Sequence, residues 1–160
     1  MEPGSDDPAL RAWRAMGRAQ RRVSRSLDSE LSQRAGLPLR AYEVLSRLSR
    51  APGCAMRMSD LASSVLLSAS GVTRLVDQLA DRGLIERRAD PTDARATIAA
   101  LTRDGKSVLR KTSGIYAEGV KKHFAGHLLE AEILAIAESL ERFVAGVDQP
   151  PPPRDRRRKP

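Results

Sequence analysis

The sequence predicts a mainly α (α+β) fold: a winged helix-turn-helix lobe framed by long helices, in the order α-α-α-α-β-β-α-α. Three observations predict it. Apolar residues recur at three- and four-residue steps along both ends of the chain, in a composition with only 3% aromatic residues. The segment Met58–Arg82, MSDLASSVLLSASGVTRLVDQLADR, reads as two short helices around a turn. Directly after it, Leu84–Gly105 carries two strand-like runs, Leu84–Arg88 and Thr97–Leu101, around the turn-rich stretch Ala89-Asp90-Pro91-Thr92-Asp93-Ala94-Arg95. A basic hairpin beside a helix-turn-helix is a wing.

Each element has a local reason. Asp7 caps the first helix and Pro8 suits its first position, where no backbone donor is needed. Trp13, Met16, Val23, Leu27 and Leu31 form its apolar stripe, and Arg11, Arg14, Arg18, Arg21, Arg22 and Arg25 form a second, basic one. The basic stripe reads first as a solvated face. Gly36 ends the helix near Arg34, and Pro38 forces an extended entry into a second helix, Leu39–Arg50. Ala51-Pro52-Gly53 stops that one. Ser59 is expected to cap a short helix over Asp60–Val65, Leu66-Leu67 to turn, and Ser68 to cap a helix from Ala69 to about Arg82, ended by Gly83. After the hairpin, Thr102 caps a long helix from Arg103 to about Gly126. A last helix, about Leu129–Val144, carries Ile133, Leu134, Ile136, Leu140, Phe143 and Val144.

These elements make one domain. Residues 1–7 read as a flexible N-terminus and 8–147 as a single unit. Within it, 8–35 and 103–147 are dimerisation helices and 36–102 is the winged lobe. Residues 148–160, proline-rich and basic, read as a disordered tail. The apolar faces of the first and last helices lie far apart in sequence, and a symmetric dimer built from both chain ends buries them.

The net charge of +8 suits an anionic partner. The excess lies in residues 8–35, in the middle of the chain and in the tail. One cysteine excludes an intrachain disulfide and fits a reducing, cytoplasmic setting. No apolar run approaches the ~20 residues that span a bilayer, so no membrane partner is expected. Enzymatic motifs are missing as well: there is no glycine-rich phosphate loop and no Ser-His-Asp grouping in a supporting frame. Nothing calls for a cofactor.

Double-stranded DNA is the expected partner. Small polar residues at the start of the second short helix let it enter a major groove ~12 Å wide. Ser68, Ser70, Thr73, Arg74 and Gln78 lie outward there. In the wing, Arg87 and Arg88 lie on the first strand and Arg95 near the tip. Asp93, two residues before Arg95, is placed to aim its guanidinium into a narrow minor groove.

Here the chain resembles the MarR family of bacterial transcription regulators, over roughly residues 8–146. The most specific match is the wing pattern D-P-x-D-x-R-x-x-x-x-x-L-T-x-x-G, present as Asp90, Pro91, Asp93, Arg95, Leu101, Thr102 and Gly105. Thr73-Arg74-Leu75-Val76, Leu79 and Gly83-Leu84-Ile85 add to it. The resemblance implies a homodimer with two winged lobes that binds a palindromic operator, with release by a small-molecule effector or an oxidant. It implies DNA contacts at Ser68, Ser70, Thr73, Arg74 and Gln78 and, in the wing, at Arg88, Asp93 and Arg95. It also implies an effector pocket between the dimer helices and the lobe, to which Trp13, Tyr42 and Met56 are candidate contributors, though core packing is the plainer reading of each.

Two further features invite a sensing role. Cys54 lies near Arg50 and Arg57 in sequence, which suits an activated thiol, but a partly buried inert thiol is the plainer reading. His123 and His127, four apart, fall on one helix face and are metal-compatible, with Glu30, Glu43, Glu118, Glu130 or Cys54 as completing ligands. Solvated histidines at a helix C-terminus explain them without a metal. Two other readings of the whole chain stay open: a sequence-neutral architectural DNA binder, marked by a footprint with no preferred site, and a winged module used for protein contacts, marked by a monomer in solution.

Overall fold

The computed structural model describes residues 7–65 and 68–146. The long first helix, α1 (Pro8–Ala35), starts as its sequence dictates: the Asp7 carboxylate accepts the Ala9 N–H at 2.7 Å and Pro8 holds the first position. Gly36 ends it with φ +60°, a left-handed conformation that glycine adopts without the Cβ penalty. The second helix, α2 (Leu39–Arg50), has Pro38 at its N-cap, which offers no side-chain acceptor. Asp28 of α1 supplies one from across the fold, accepting the Leu39 N–H at 2.8 Å. Eleven residues separate the pair, so local sequence gives no sign of this cap.

The class is as expected, but the element order gains a strand. Residues Ala55–Arg57 form β1, which pairs antiparallel with the second wing strand. Three residues, Ala-Met-Arg, carry no alternation signal of their own; the pairing exists because the hairpin presents an open edge to them. This strand also moves the next helix. α3 runs Met58–Ser64 with Arg57 at its N-cap and no side-chain cap; Ser59 lies inside it, its hydroxyl directed to Asp60 at 3.2 Å. The expected Ser59 cap and Asp60 start are corrected by the strand, which delivers extended backbone up to Arg57. The expected turn at Leu66-Leu67 lies outside the described residues, as do the N-terminal residues 1–6 and the tail.

The second short helix, α4 (Ala69–Asp81), is capped by Ser68, whose hydroxyl accepts the Gly71 N–H at 3.2 Å. The hairpin is longer than its sequence suggests. Strands β2 (Ile85–Asp90) and β3 (Asp93–Leu101) run into the turn-rich stretch and leave Pro91-Thr92 as the tip, with a register irregularity between Ala89 and Asp90. The sheet order is β1-β3-β2. Thr102 caps α5 (Arg103–His123): it accepts the Gly105 N–H at 3.0 Å, and its hydroxyl lies 2.7 Å from the Gly83 carbonyl oxygen. α6 (Glu130–Gly146) closes the described chain.

One apolar core joins these parts. Val44, Leu45 and Leu48 of α2, Leu61 of α3, and Val72, Val76 and Leu79 of α4 are buried together with Leu84, Ile85, Ala99 and Leu101 around the sheet, and with Leu109 of α5. Each fully buried leucine contributes about 1.5–3 kcal/mol relative to exposure. α1 enters this core through the buried Leu27 and Leu31, with Val23 and Ala35 packed against it. Its N-terminal half leaves Leu10, Trp13 and Met16 exposed, and α6 buries no residue at all.

Candidate nucleic-acid interface

The helix-turn-helix core turns the polar face of α4 outward. Val72, Val76 and Leu79 point into the core, so Ser70, Thr73, Arg74, Asp77 and Gln78 are exposed on the opposite side, with Ser68 beside them at the cap. All three hydroxyls already have local partners, those of Ser68 and Ser70 lying 3.2 Å apart. Ser68 holds the helix start, and Thr73 donates to the Ala69 carbonyl at 3.1 Å, leaving its oxygen free to accept. Arg74 is exposed.

Alternation along β2 sends Arg87 and Arg88 to opposite faces of the hairpin. Arg87 turns to α4 and forms a charge-paired hydrogen bond with Asp77, tying the wing to the exposed helix. Arg88 lies on the other face, 3.8 Å from Glu86, in a cleft with Arg47, Arg50, Met56 and Asp90. Thr73, Asp93 and Arg95 come together with Arg57 and Arg87 around a cleft of ≈ 330 Å³ between α4 and the wing. Arg57, Arg87 and Arg95 outnumber Asp93 among its charged lining residues, an electrostatic setting for a phosphate backbone.

Asp93 does something other than expected. Its carboxylate accepts the backbone N–H of Arg95 at 3.0 Å. It shapes the chain under Arg95 and makes no contact with the guanidinium, because an aspartate two residues upstream reaches the backbone donor first. The tip is organised by Asp90, which the wing pattern contains but to which no role was given. Asp90, with a side chain only 5% exposed, accepts the Thr92 N–H and hydroxyl at 2.8 and 2.7 Å and the Arg57 Nε–H at 2.6 Å. The Thr92 bonds, aided by Arg57, lower its pKa to about 2 despite burial. The Asp-Pro-Thr turn sequence was a signal for Asp90. Arg57 had none, since its role depends on β1.

The other candidate residues are dispersed. Trp13, 66% exposed, lies on α1 among Arg14, Arg18 and Arg21. Tyr42 stacks on Tyr116 of α5, ring centres 4.6 Å apart, beside a cleft of ≈ 220 Å³ that also takes in Arg40, Glu43 and Arg47. Burial pushes the Tyr116 phenol up. Met56 borders the cleft behind the wing with Arg88. The three therefore line three separate concavities. Cys54, half-buried with φ +56°, packs against the core with its Sγ 3.9 Å from the Ser49 carbonyl oxygen.

The histidine pair is corrected. α5 ends at His123, Phe124 leaves helical geometry at φ −122°, and His127 closes a separate 3-10 turn, Ala125–His127. The shared helix face requires an unbroken helix, which Phe124 interrupts. His123 instead faces Glu30 of α1 at 2.9 Å, and Lys122 reaches the same carboxylate oxygen at 2.7 Å. Hydrogen bonds from Lys122, then His123, hold Glu30 below its ordinary range. Among the described residues, no group of three or more His, Cys, Asp or Glu is placed to hold a metal.

A helix-turn-helix joined to a three-stranded wing, with its polar helix exposed, defines the winged helix-turn-helix class. The sequence model of the MarR family matches residues 35–96. The chain is 30% identical over 119 residues to the uncharacterized HTH-type transcriptional regulator YkoM of Bacillus subtilis, spanning 74% of this chain and 75% of that one. It is 25% identical over 136 residues to the HTH-type transcriptional regulator MhqR of the same organism, spanning 85% and 91%. Among solved structures, Sco3205, a MarR family transcriptional regulator from Streptomyces coelicolor in complex with DNA, superposes with a TM-score of 0.76 at 29% identity, covering 88% of each chain. AbsC, a MarR family regulator from the same organism, gives 0.75 at 28% identity, covering 88% of this chain and 95% of that one. The chain belongs to the MarR family: it is a transcriptional regulator and not an enzyme. No helix among the described residues is long and apolar enough to cross a membrane.

Proposed function

We propose that this regulator binds a palindromic operator in double-stranded DNA as a homodimer, with α4 in the major groove and Arg95 of the wing in the adjacent minor groove. The observation that carries the reading is the shared cleft between α4 and the wing, where Thr73 and Arg95 open to one side of the lobe. The likeness to Sco3205, solved with DNA, supports it. Ser68, Ser70, Thr73, Arg74 and Gln78 serve the major groove, and Arg88, Asp93 and Arg95 the wing, with Asp93 acting on the backbone of Arg95. In this reading 8–35 and 103–147 are the dimerisation helices, and 36–102 the reading lobe.

The regulatory mode is repression, relieved by a small-molecule effector or an oxidant. The cleft at Tyr42 and Tyr116 lies where α2 of the lobe meets α5, so an occupant there changes the angle between lobe and long helices. That angle sets the spacing of the two readers.

Selection of bound duplexes from a random pool tests the reading. The expected product is a palindrome whose half-sites lie about one helical turn, ~34–36 Å, apart. Replacing Arg95 with Ala should weaken binding to that duplex by about tenfold or more, the scale of a lost charge-assisted contact, with the dimer intact. A pool without a preferred site, or an Arg95→Ala variant that binds like the parent, overturns it.

A further inference from the structure

We propose that Arg57, on the edge strand β1, is a positioning residue for DNA reading: it fixes the wing tip that carries Arg95. The inference rests on the DNA-binding role proposed above and adds a residue to it from outside the hairpin.

The geometry is a closed ring of three side chains. Arg57 Nε donates to Asp90 Oδ2 at 2.6 Å and Nη2 donates to Thr92 Oγ1 at 3.1 Å. The Thr92 hydroxyl in turn donates to Asp90 Oδ1 at 2.7 Å. Asp90 is the buried member, and Arg57 is the cation paired with it. Three residues further along, the backbone N–H of Arg95 is held by Asp93. The whole turn from Asp90 to Arg95 is thus pinned from both sides.

What Arg57 anchors the tip to is the point of the arrangement. Arg57 is the last residue of β1 and the N-cap of α3, so it belongs to the helix-turn-helix itself. Through it the tip moves with α3 and α4. Arg87, paired with Asp77 of α4, does the same for the stem of the hairpin. A tip without these ties loses conformational freedom when it enters a groove. A tip set in advance keeps that loss out of binding.

Arg57 also lines the cleft between α4 and the wing, so a direct phosphate contact is the competing role. The two separate in a double-mutant comparison with the full-length chain and a duplex selected on the parent. For positioning, Arg57→Ala and Asp90→Asn should each weaken binding about tenfold, and Arg57→Ala should add little in an Arg95→Ala background, because the two act as one unit. Amide exchange at Thr92 in the free protein should accelerate in both variants. Thr92→Val, which removes one hydroxyl and keeps the shape, repeats the test if Asp90→Asn unfolds. Full additivity with Arg95→Ala, an unaffected Asp90→Asn, or unchanged Thr92 exchange overturns the proposal. A parent chain that selects no duplex sinks the DNA-binding role, while the exchange measurement still decides whether Arg57 holds the tip.

Discussion

Asp90 gathers three donors at the wing tip, two from Thr92 and one from Arg57. Its carboxyl titrates at about 2 in the folded chain, against an ordinary value of 3.8. A depressed carboxylate lends stability that is complete above its unfolded pKa and is lost as pH falls through the folded one. The wing tip should therefore loosen between about pH 4 and pH 2, seen as faster amide exchange at Thr92 and Arg95, with the Asp90→Asn variant showing little further change in that window. Residue-scale chemistry was legible in part. The outward set on α4 and Arg95 could be read directly, because helical periodicity and turn chemistry are local. The partner of Asp93 is the Arg95 backbone and not its guanidinium, a difference that spacing alone does not reveal.

At the scale of elements, three of the four expected side-chain caps behaved as local rules require, Ser59 being the one that did not. Asp7, Ser68 and Thr102 each accept the backbone donor expected of an N-cap. The exceptions, β1 and the Asp28 cap of α2, depend on neighbours that meet only in the fold. The joint between wing and α5 is closely packed. A Cβ on Gly105 would lie 2.1 Å from the Leu84 carbonyl oxygen and 2.7 Å from Leu101 Cδ1. Backbone cannot give way there, so Gly105→Ala should destabilise the chain by about 1–3 kcal/mol, the range for overpacking, measured by chemical denaturation. A variant as stable as the parent would mean that α5 and β2 are free to separate.

At the scale of the molecule, the protomer leaves two apolar surfaces uncovered. Leu134, Phe143 and Val144 of α6 are exposed, as are Leu10, Trp13 and Met16 of α1. An exposed apolar helix of this kind marks an interface. In the homodimer proposed above these surfaces are covered by the second copy. Leu134→Asp with Phe143→Asp should then shift the chain from dimer to monomer in analytical ultracentrifugation. Operator affinity should fall with it, because two linked half-sites bind far more tightly than one. A double variant that stays dimeric removes α6 from the interface.

The sequence by itself determined the class, the caps at Asp7, Ser68 and Thr102, the exposed helix and the wing, and the excess of positive charge, since all of these arise from neighbours within a few residues. Tertiary structure alone decided that Ala55–Arg57 becomes a strand and that Asp28 caps α2. It also decided that His123 meets Glu30 rather than His127, and that Arg57 holds Asp90. Each of these joins groups distant in sequence, and such pairings follow from how the core brings elements together rather than from the preferences of any one of them.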